Sequence, residues 1–368
     1  PTSVLGGSLF SRLRVMSGGV LLEDLSLYNR QVNTFASCLT PERQYLDAGE
    51  GFGCANKDDP GLSFIDWIPE QIPANGSRRI FFNLMSGILN QHLWIPLAYC
   101  PLTFELEVAS YNEPFAVAYL DPARGPNAAG VAPAPVVMSQ LWDLSDVRFY
   151  ADMCELDAGL QSSYAAHLSS GRTLPLAFSS FVTQTQRAEG ASQTLVLARS
   201  FTRLKGIFVT WFKEIDDTGL KNISNNLYHP HGAGAYNVAR DTVEVQIQIG
   251  ARKFPEYPIT CLAEAFYRLR LAIGAHFGDV PISVLPHEFR TNKFIIGCDF
   301  EKAASGPAGG VAFSGISSRG GELLTIEYKG FGVADPVPAN NTTPTQSFVS
   351  LNFDAIVEIG DTNISVSD

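Results

Sequence analysis

The residues best suited to chemistry in this sequence are few, and each fails the spacing its chemistry requires. His287 followed by Glu288 opens like a zinc-protease helix, in which two histidines four residues apart hold the metal and the glutamate serves as base; the second histidine would stand at 291, where Thr291 is found. His229 and His231 flank Pro230 and could offer two imidazoles to a metal at a loop tip, but no third ligand is adjacent, and turn residues are the better reading. Gly309 and Gly310, and the glycines of residues 315–321, lack the Gly-Lys-Ser/Thr ending of a phosphate loop and read as surface turns. No Gly-x-Ser-x-Gly nucleophile elbow occurs. Asp58-Asp59 and Asp216-Asp217 could hold calcium, although adjacent carboxylates at turns are ordinary solvated charge. Glu105 and Glu107, two apart on a strand, share a face and are the one suggestive carboxylate pair, without a partner set. We therefore assign no catalytic, cofactor or metal residue and expect no enzyme.

Other polar groups point to surfaces. Arg12 and Arg14 lie on an expected strand and could pair with carboxylates at an inter-subunit seam, the alternative being a wet strand face. Glycan-acceptor triplets begin at Asn75, Asn222, Asn340, Asn341 and Asn363. The six cysteines, Cys38, Cys54, Cys100, Cys154, Cys261 and Cys298, are scattered without the close pairs of zinc or redox motifs. They read as buried free thiols, which favours assembly in cytoplasm or nucleus and leaves most acceptor triplets unmodified. No apolar run is long enough to cross a bilayer and the opening residues do not read as a signal peptide, so a soluble chain is expected. A net charge of −11, without any basic run of five residues, argues against a protein whose main task is gripping nucleic acid.

The elements that must carry these residues are strands. Gly 32, Pro 22 and Phe 24 against 17% charged residues fit many strands joined by turns. Val243, Val245, Ile247 and Ile249 alternate with polar neighbours, as do Val349, Leu351, Phe353, Ala355, Val357 and Ile359, and Phe104, Leu106 and Val108. Residues 9–16, 79–84, 147–153, 201–212, 294–300 and 323–328 are further strand candidates. Helical spacing joins Leu25, Tyr28, Val32, Phe35 and Leu39, and again Leu262, Ala265, Phe266, Leu269 and Ile273; residues 157–168 make a third candidate. Each helix should lay an apolar stripe over one end of a sheet. Long turn-rich stretches near 110–140, 217–237, 303–321 and 332–345 should form exposed loops.

One order of elements occurs twice. Strand, glycine turn, strand and helix over residues 12–32 match residues 245–265; residues 79–84 match 294–300, and residues 104–108 match 349–353. Two copies of one β-sandwich are expected, divided as residues 1–142 and 143–368. Only 17 residues precede Gly18, against a far longer stretch before Gly250, so the first sandwich should lack its opening strands, leaving edges that something else must cover.

Residues 9–15 (Leu-Phe-Ser-Arg-Leu-Arg-Val) with Ser17-Gly18-Gly19, Leu25 through Arg30, Pro96-Leu97-Ala98-Tyr99, Phe254 through Ile259 and Ala263 through Tyr267 resemble the double jelly-roll major capsid proteins of polinton-like viruses, virophages and related double-stranded DNA viruses. Their order and spacing span most of the chain. The resemblance implies an all-β double jelly roll with a few short helices; the sequence departs from the family at the N-terminus, where the first jelly roll is expected to be incomplete. It further implies a homotrimer of nearly hexagonal outline that tiles an icosahedral virion capsid and meets neighbouring capsomers, penton and minor capsid proteins. Sequence-specific nucleic-acid binding is not implied. The rival expectation is a secreted or surface carbohydrate-binding β-sandwich, with Trp67, Trp94 and Trp142 as its platform; a carboxylate hydrolase ranks below it.

Overall fold

The computed structural model describes residues 6–40, 43, 46–47, 50–51, 72, 75–109, 143–187, 192–212, 244–273, 284, 289, 293–301, 315–320, 322–329 and 346–368. The N-terminal part contains β1 (Phe10–Ser17), β2 (Val20–Ser26), α1 (Tyr28–Ala36), the short α2 (Gly87–Asn90) and β3 (Leu102–Val108). After α3 (Ala158–Ser169) come β4 (Leu174–Arg187), β5 (Ser192–Leu197), β6 (Leu204–Phe212), β7 (Glu244–Ile249) and β8 (Arg252–Ile259). Next are α4 (Leu262–Ala272), β9 (Ile295–Asp299), β10 (Leu324–Lys329), β11 (Gln346–Ile359) and β12 (Ile364–Ser367).

From β4 to β11 the chain forms a complete jelly roll. One sheet runs β5-β10-β7-β8; the other places β4 beside β11, then β6, then β9, with β12 continuing the edge of β11 beyond β6. Counted from β4, that is first-eighth-third-sixth facing second-seventh-fourth-fifth, the strand order of two interleaved Greek keys. The alternation explains the core. Val245, Ile247 and Ile249 of β7 and Leu324, Ile326 and Tyr328 of β10 point inward from one sheet, and Ile207, Val209 and Trp211 of β6 from the other. The Trp211 ring meets Tyr328 at 5.8 Å and Phe294 at 5.7 Å, bridging the two layers.

The N-terminal unit repeats half of this plan. β1 and β2 pair antiparallel across Gly18 and Gly19, both at positive φ (55° and 83°), the conformation a two-residue hairpin turn requires. β3 pairs with the other side of β1, giving the order β2-β1-β3, which matches β8-β7-β10; α1 follows β2 as α4 follows β8. β3 thus occupies the place of β10, whereas the sequence match had paired residues 104–108 with 349–353 in β11. Both candidate partners alternate, so periodicity could not choose between them; the ladder does. Residues 79–84 and 147–153, expected as strands, belong to no ladder.

The helices also differ from expectation. Leu25 ends up in β2, and Leu27 at φ 51° marks the switch into α1, which is shorter than the apolar spacing suggested. Asp157 caps α3 through Leu160 N–H at 2.7 Å, yet Leu168 is its one buried residue, so α3 does not lay a stripe on a sheet. α4 does, with Leu262, Ala265 and Leu269 buried and Leu269 and Ala272 packed on Gly297 of β9. The long turn-rich stretches fall almost entirely outside the described residues, apart from residues 315–320.

Candidate functional site: the seam between the two sandwiches

β4 is an edge strand, laddered to β11 on one side only, and its other side is where the N-terminal unit docks. The strand tolerates Pro175 near its start because an edge has N–H groups to spare. The seam begins in β2. Register shifts between Val15 and Met16, so Leu22 has no direct partner on β1, and both Leu22 and Glu23 become buried although adjacent. Leu22 joins the apolar core; Glu23 turns its carboxylate to β4.

Glu23 is 3% exposed and accepts hydrogen bonds from three groups on two other elements. Ser180 Oγ of β4 donates to Oε1 at 2.6 Å, Gly87 N–H of α2 donates to the same oxygen at 2.9 Å, and Ser86 Oγ donates to Oε2. Burial raises the Glu23 pKa above the ordinary carboxylate range, with these donors opposing the shift without cancelling it. Gly87 itself is pressed on the strand: a Cβ there would lie 1.8 Å from the Ser179 carbonyl oxygen, so the position excludes every other residue. Thr183 Oγ1 donates to Ser26 O at 2.6 Å, and Phe35 of α1 packs its ring on Phe181 (5.0 Å) and Phe208 (5.1 Å). Tyr28 is fully buried, its hydroxyl accepting from Met85 N–H at 2.8 Å, and burial raises its pKa so that it stays a phenol.

A second polar group stands beside the first. Ser179 Oγ donates to Asp354 Oδ1 at 2.6 Å, and Lys205 Nζ lies 3.5 Å from that oxygen and 3.0 Å from Glu301 Oε1. Burial works against the Lys205 charge, but Asp354 and Glu301 outweigh it and the pKa is raised, leaving an ammonium that compensates a nearly buried carboxylate. None of these groups is poised as a nucleophile or as an acid-base pair. The bonds of Glu23 to Ser180 and of Thr183 to Ser26, with the Gly87 and Phe35 contacts, fix one sandwich against the other, whereas the Lys205 group braces the C-terminal sheet from within.

The residues singled out in the sequence do not converge. Arg12 makes a bidentate pair with Asp24 of the neighbouring strand (2.7 and 2.6 Å), and Arg14 reaches Glu105 of β3 at 3.1 Å. Both arginines are thus paired within their own sheet; the cross-strand carboxylates were invisible until the register was known. Glu105 and Glu107 share the exposed face of β3, and one of them is taken by Arg14. Cys38, Cys100 and Cys298 are buried, and burial pushes the Cys38 thiol up to about 11 and Cys298 up to about 12. Cys154 and Cys261 are exposed, against expectation; Cys261 sits at the start of α4, where its sulfur accepts from Glu264 N–H at 3.4 Å. Gly315 serves backbone packing rather than an anion, since a Cβ there would meet Arg203 and Leu204 backbone atoms at 2.8 Å.

Asn75, Asn363 and Trp94 are exposed. Cys54, Asp58, Asp59, Trp67, Trp142, Asp216, Asp217, Asn222, His229, His231, His287, Glu288, Gly309, Gly310, Asn340 and Asn341 lie outside the described residues. Among the described residues no cluster of three His, Cys, Asp or Glu side chains could hold a metal ion, and no helix is long and apolar enough to cross a membrane. Sequence reasoning missed Glu23, Ser86, Gly87 and Ser180. A carboxylate inside the run Val20-Leu21-Leu22-Glu23-Asp24-Leu25 was the available signal.

No protein-family model and no curated protein matches the chain. Solved structures do. The chain is similar to PBCV-1 Vp54, as fitted into a reconstruction of the virophage Sputnik (TM-score 0.60, 11% identity, covering 100% of this chain and 85% of that one). It is also similar to the Faustovirus major capsid protein (TM-score 0.56, 9% identity, 98% and 73%) and to a chain of the Sputnik virophage structure (TM-score 0.52, 10% identity, 98% and 74%). The fold is the all-β double jelly roll that the sequence resemblance implied.

Proposed function

We propose that this protein is a structural subunit, a major capsid protein whose two jelly rolls act as one block in an icosahedral shell. The supporting observation is the seam: Glu23, held by α2 and β4, together with the Gly87 contact, joins two similar sandwiches in a fixed relation. A shell needs that property, because a subunit whose halves rotate freely cannot repeat the same contacts around a closed surface. The end-to-end likeness to viral capsid proteins supports the same reading. On this reading three copies give six similar flanks, a nearly hexagonal trimer that meets neighbouring capsomers, penton and minor capsid proteins. The protein then resides in the virion, is assembled in the cytoplasm or nucleus of the host, and catalyses nothing. Light scattering on the purified chain tests it: a species of three times the 39.9 kDa chain mass, or larger closed particles by electron microscopy, is expected. A stable monomer under all assembly conditions overturns it.

A further inference from the structure

The outward face of β11 runs beneath α1, and polar groups there are buried without hydrogen-bond partners. Contacts in chain order fix the route of α1 over the sheet. Just before the helix, Ser26 O accepts from Thr183 of β4; near its end, Phe35 rests on Phe181 of β4 and Phe208 of β6. Beyond it, Cys38 lies close enough to Lys293, just ahead of β9, for that charge to act on the thiol. β11 lies between β4 and β6, so α1 crosses it. In the ladder Ser350 stands directly between Thr183 and Phe208, and Asn352 between Phe181 and Gly206. Cross-strand partners share a face, so both side chains point to the helix. Gln31 stands one turn before Phe35 on the same side of α1, and therefore over β11.

Gln31 is fully buried, and neither end of its amide has a hydrogen-bond partner among the described residues. Because both ends are unpaired, exchanging the oxygen and nitrogen by a half-turn of the amide changes nothing. Ser350 Oγ and Asn352 Oδ1 are likewise buried and unpaired. So are Asp354 Oδ2, further along the same face of β11, and Thr210 Oγ1, beside Phe208 on the same face of β6. A buried donor or acceptor left alone has given up its bonds to solvent without return, which costs more than an ordinary hydrogen bond contributes, and folded proteins keep very few. A group of them beneath one helix calls for a ligand. A metal cation would satisfy the oxygens and leave the Gln31 amide nitrogen unpaired. Water satisfies both kinds of group, because it donates as well as accepts.

We infer that Gln31, Ser350 and Asn352 bind ordered water between α1 and β11, a polar site inside the seam that ties the N-terminal unit to the C-terminal sheet through bridged hydrogen bonds. The seam then holds three kinds of contact: direct bonds at Glu23 and Thr183, ring packing at Phe35, and water between them. The site also accounts for a glutamine, a residue type usually exposed, on the buried side of α1. The inference concerns the seam and not the shell, so it stands or falls separately from trimer formation.

Magnetic relaxation dispersion with isotope-labelled water, on the full chain, counts internal waters that exchange slowly with solvent. Gln31→Met, close in volume, should lose at least one such water, and Gln31→Met combined with Ser350→Ala should lose no fewer. Ser162→Ala, on the exposed α3, should leave the count unchanged. Circular dichroism checks that each variant is folded. An unchanged count in both folded seam variants overturns the proposal. A density map of the unaltered protein, fine enough to show waters, decides the matter independently of any variant. It is expected to place a water within hydrogen-bond distance of both the Gln31 amide and Ser350 Oγ. Direct bonds from that amide to protein groups, an ion held by oxygens alone, or no density between the two side chains overturns the proposal equally.

Discussion

β7 and β1 are the central strands of matching three-strand arrays, each beside a glycine turn and each followed by a helix, but the layers that cover them differ. Val245, Ile247 and Ile249 of β7 are sealed by a second sheet whose strands are laddered to one another. Leu13 and Val15 of β1 are equally inaccessible. Their covering layer near residues 79–84 is a half-buried stretch without a ladder, and the stretch at 143–157 is exposed. Among the described residues, burial of a central strand therefore does not require that every stretch packed over it be laddered. Where described stretches meet through side chains alone, as residues 79–84 and 143–150 do, they are not coupled as neighbours in a hydrogen-bonded sheet are. The N-terminal unit is also held to the C-terminal one through β4, and the seam becomes part of its stability.

The largest effect should come from truncating the finished core. Trp211→Ala removes a fully buried ring that bridges both sheets and should cost about 4 kcal/mol in urea unfolding, with both units lost in one transition. Next, Gly87→Ala drives a Cβ into the Ser179 carbonyl and should cost about 3 kcal/mol. Its signature is different, since hydrogen exchange should accelerate in β1, β2 and β3 while β7 and β10 stay protected. If both units respond equally, the distinction between a self-sufficient and a dependent sandwich is wrong.

Glu23→Gln probes the same seam through pH. Because the folded-state pKa of Glu23 is raised, the folded protein binds more protons than the unfolded chain between the ordinary glutamate value and the raised one. The contribution of this group to stability is full below the ordinary value and is lost as pH rises through the raised value. Glu23→Gln should remove that slope from a plot of unfolding free energy against pH; a slope unchanged in the variant would place the titration elsewhere. The smallest effect is expected on the N-terminal sheet surface, where a double-mutant cycle on Arg12 and Asp24 should give a coupling of about 0.5 kcal/mol that shrinks in high salt.

Much of this architecture is readable in the residues. The alternation in β3, β7 and β11 places their inward faces, β1 and β10 are legible as strands, and the repeated order of strand, glycine turn, strand and helix reveals the duplication. β4 escaped because Pro175 and the pair Ser179-Ser180 interrupt its apolar pattern, and they do so for one reason: this is the edge on which the other unit docks. The seam escaped for a related reason. Glu23, Ser86 and Ser180 are ordinary polar residues in sequence, and they become a site only when three elements distant in the chain converge.

The sequence by itself determined which residues face inward, where the hairpin turns and that one β-plan occurs twice, since side-chain alternation and the positive-φ demand on Gly18 and Gly19 are local properties. Tertiary structure alone decided that β3 corresponds to β10, that Arg12 and Arg14 are paired inside their own sheet, and that a buried carboxylate joins the two units. Each depends on register and on contacts between residues far apart in the chain, for which a strand's own pattern carries no information.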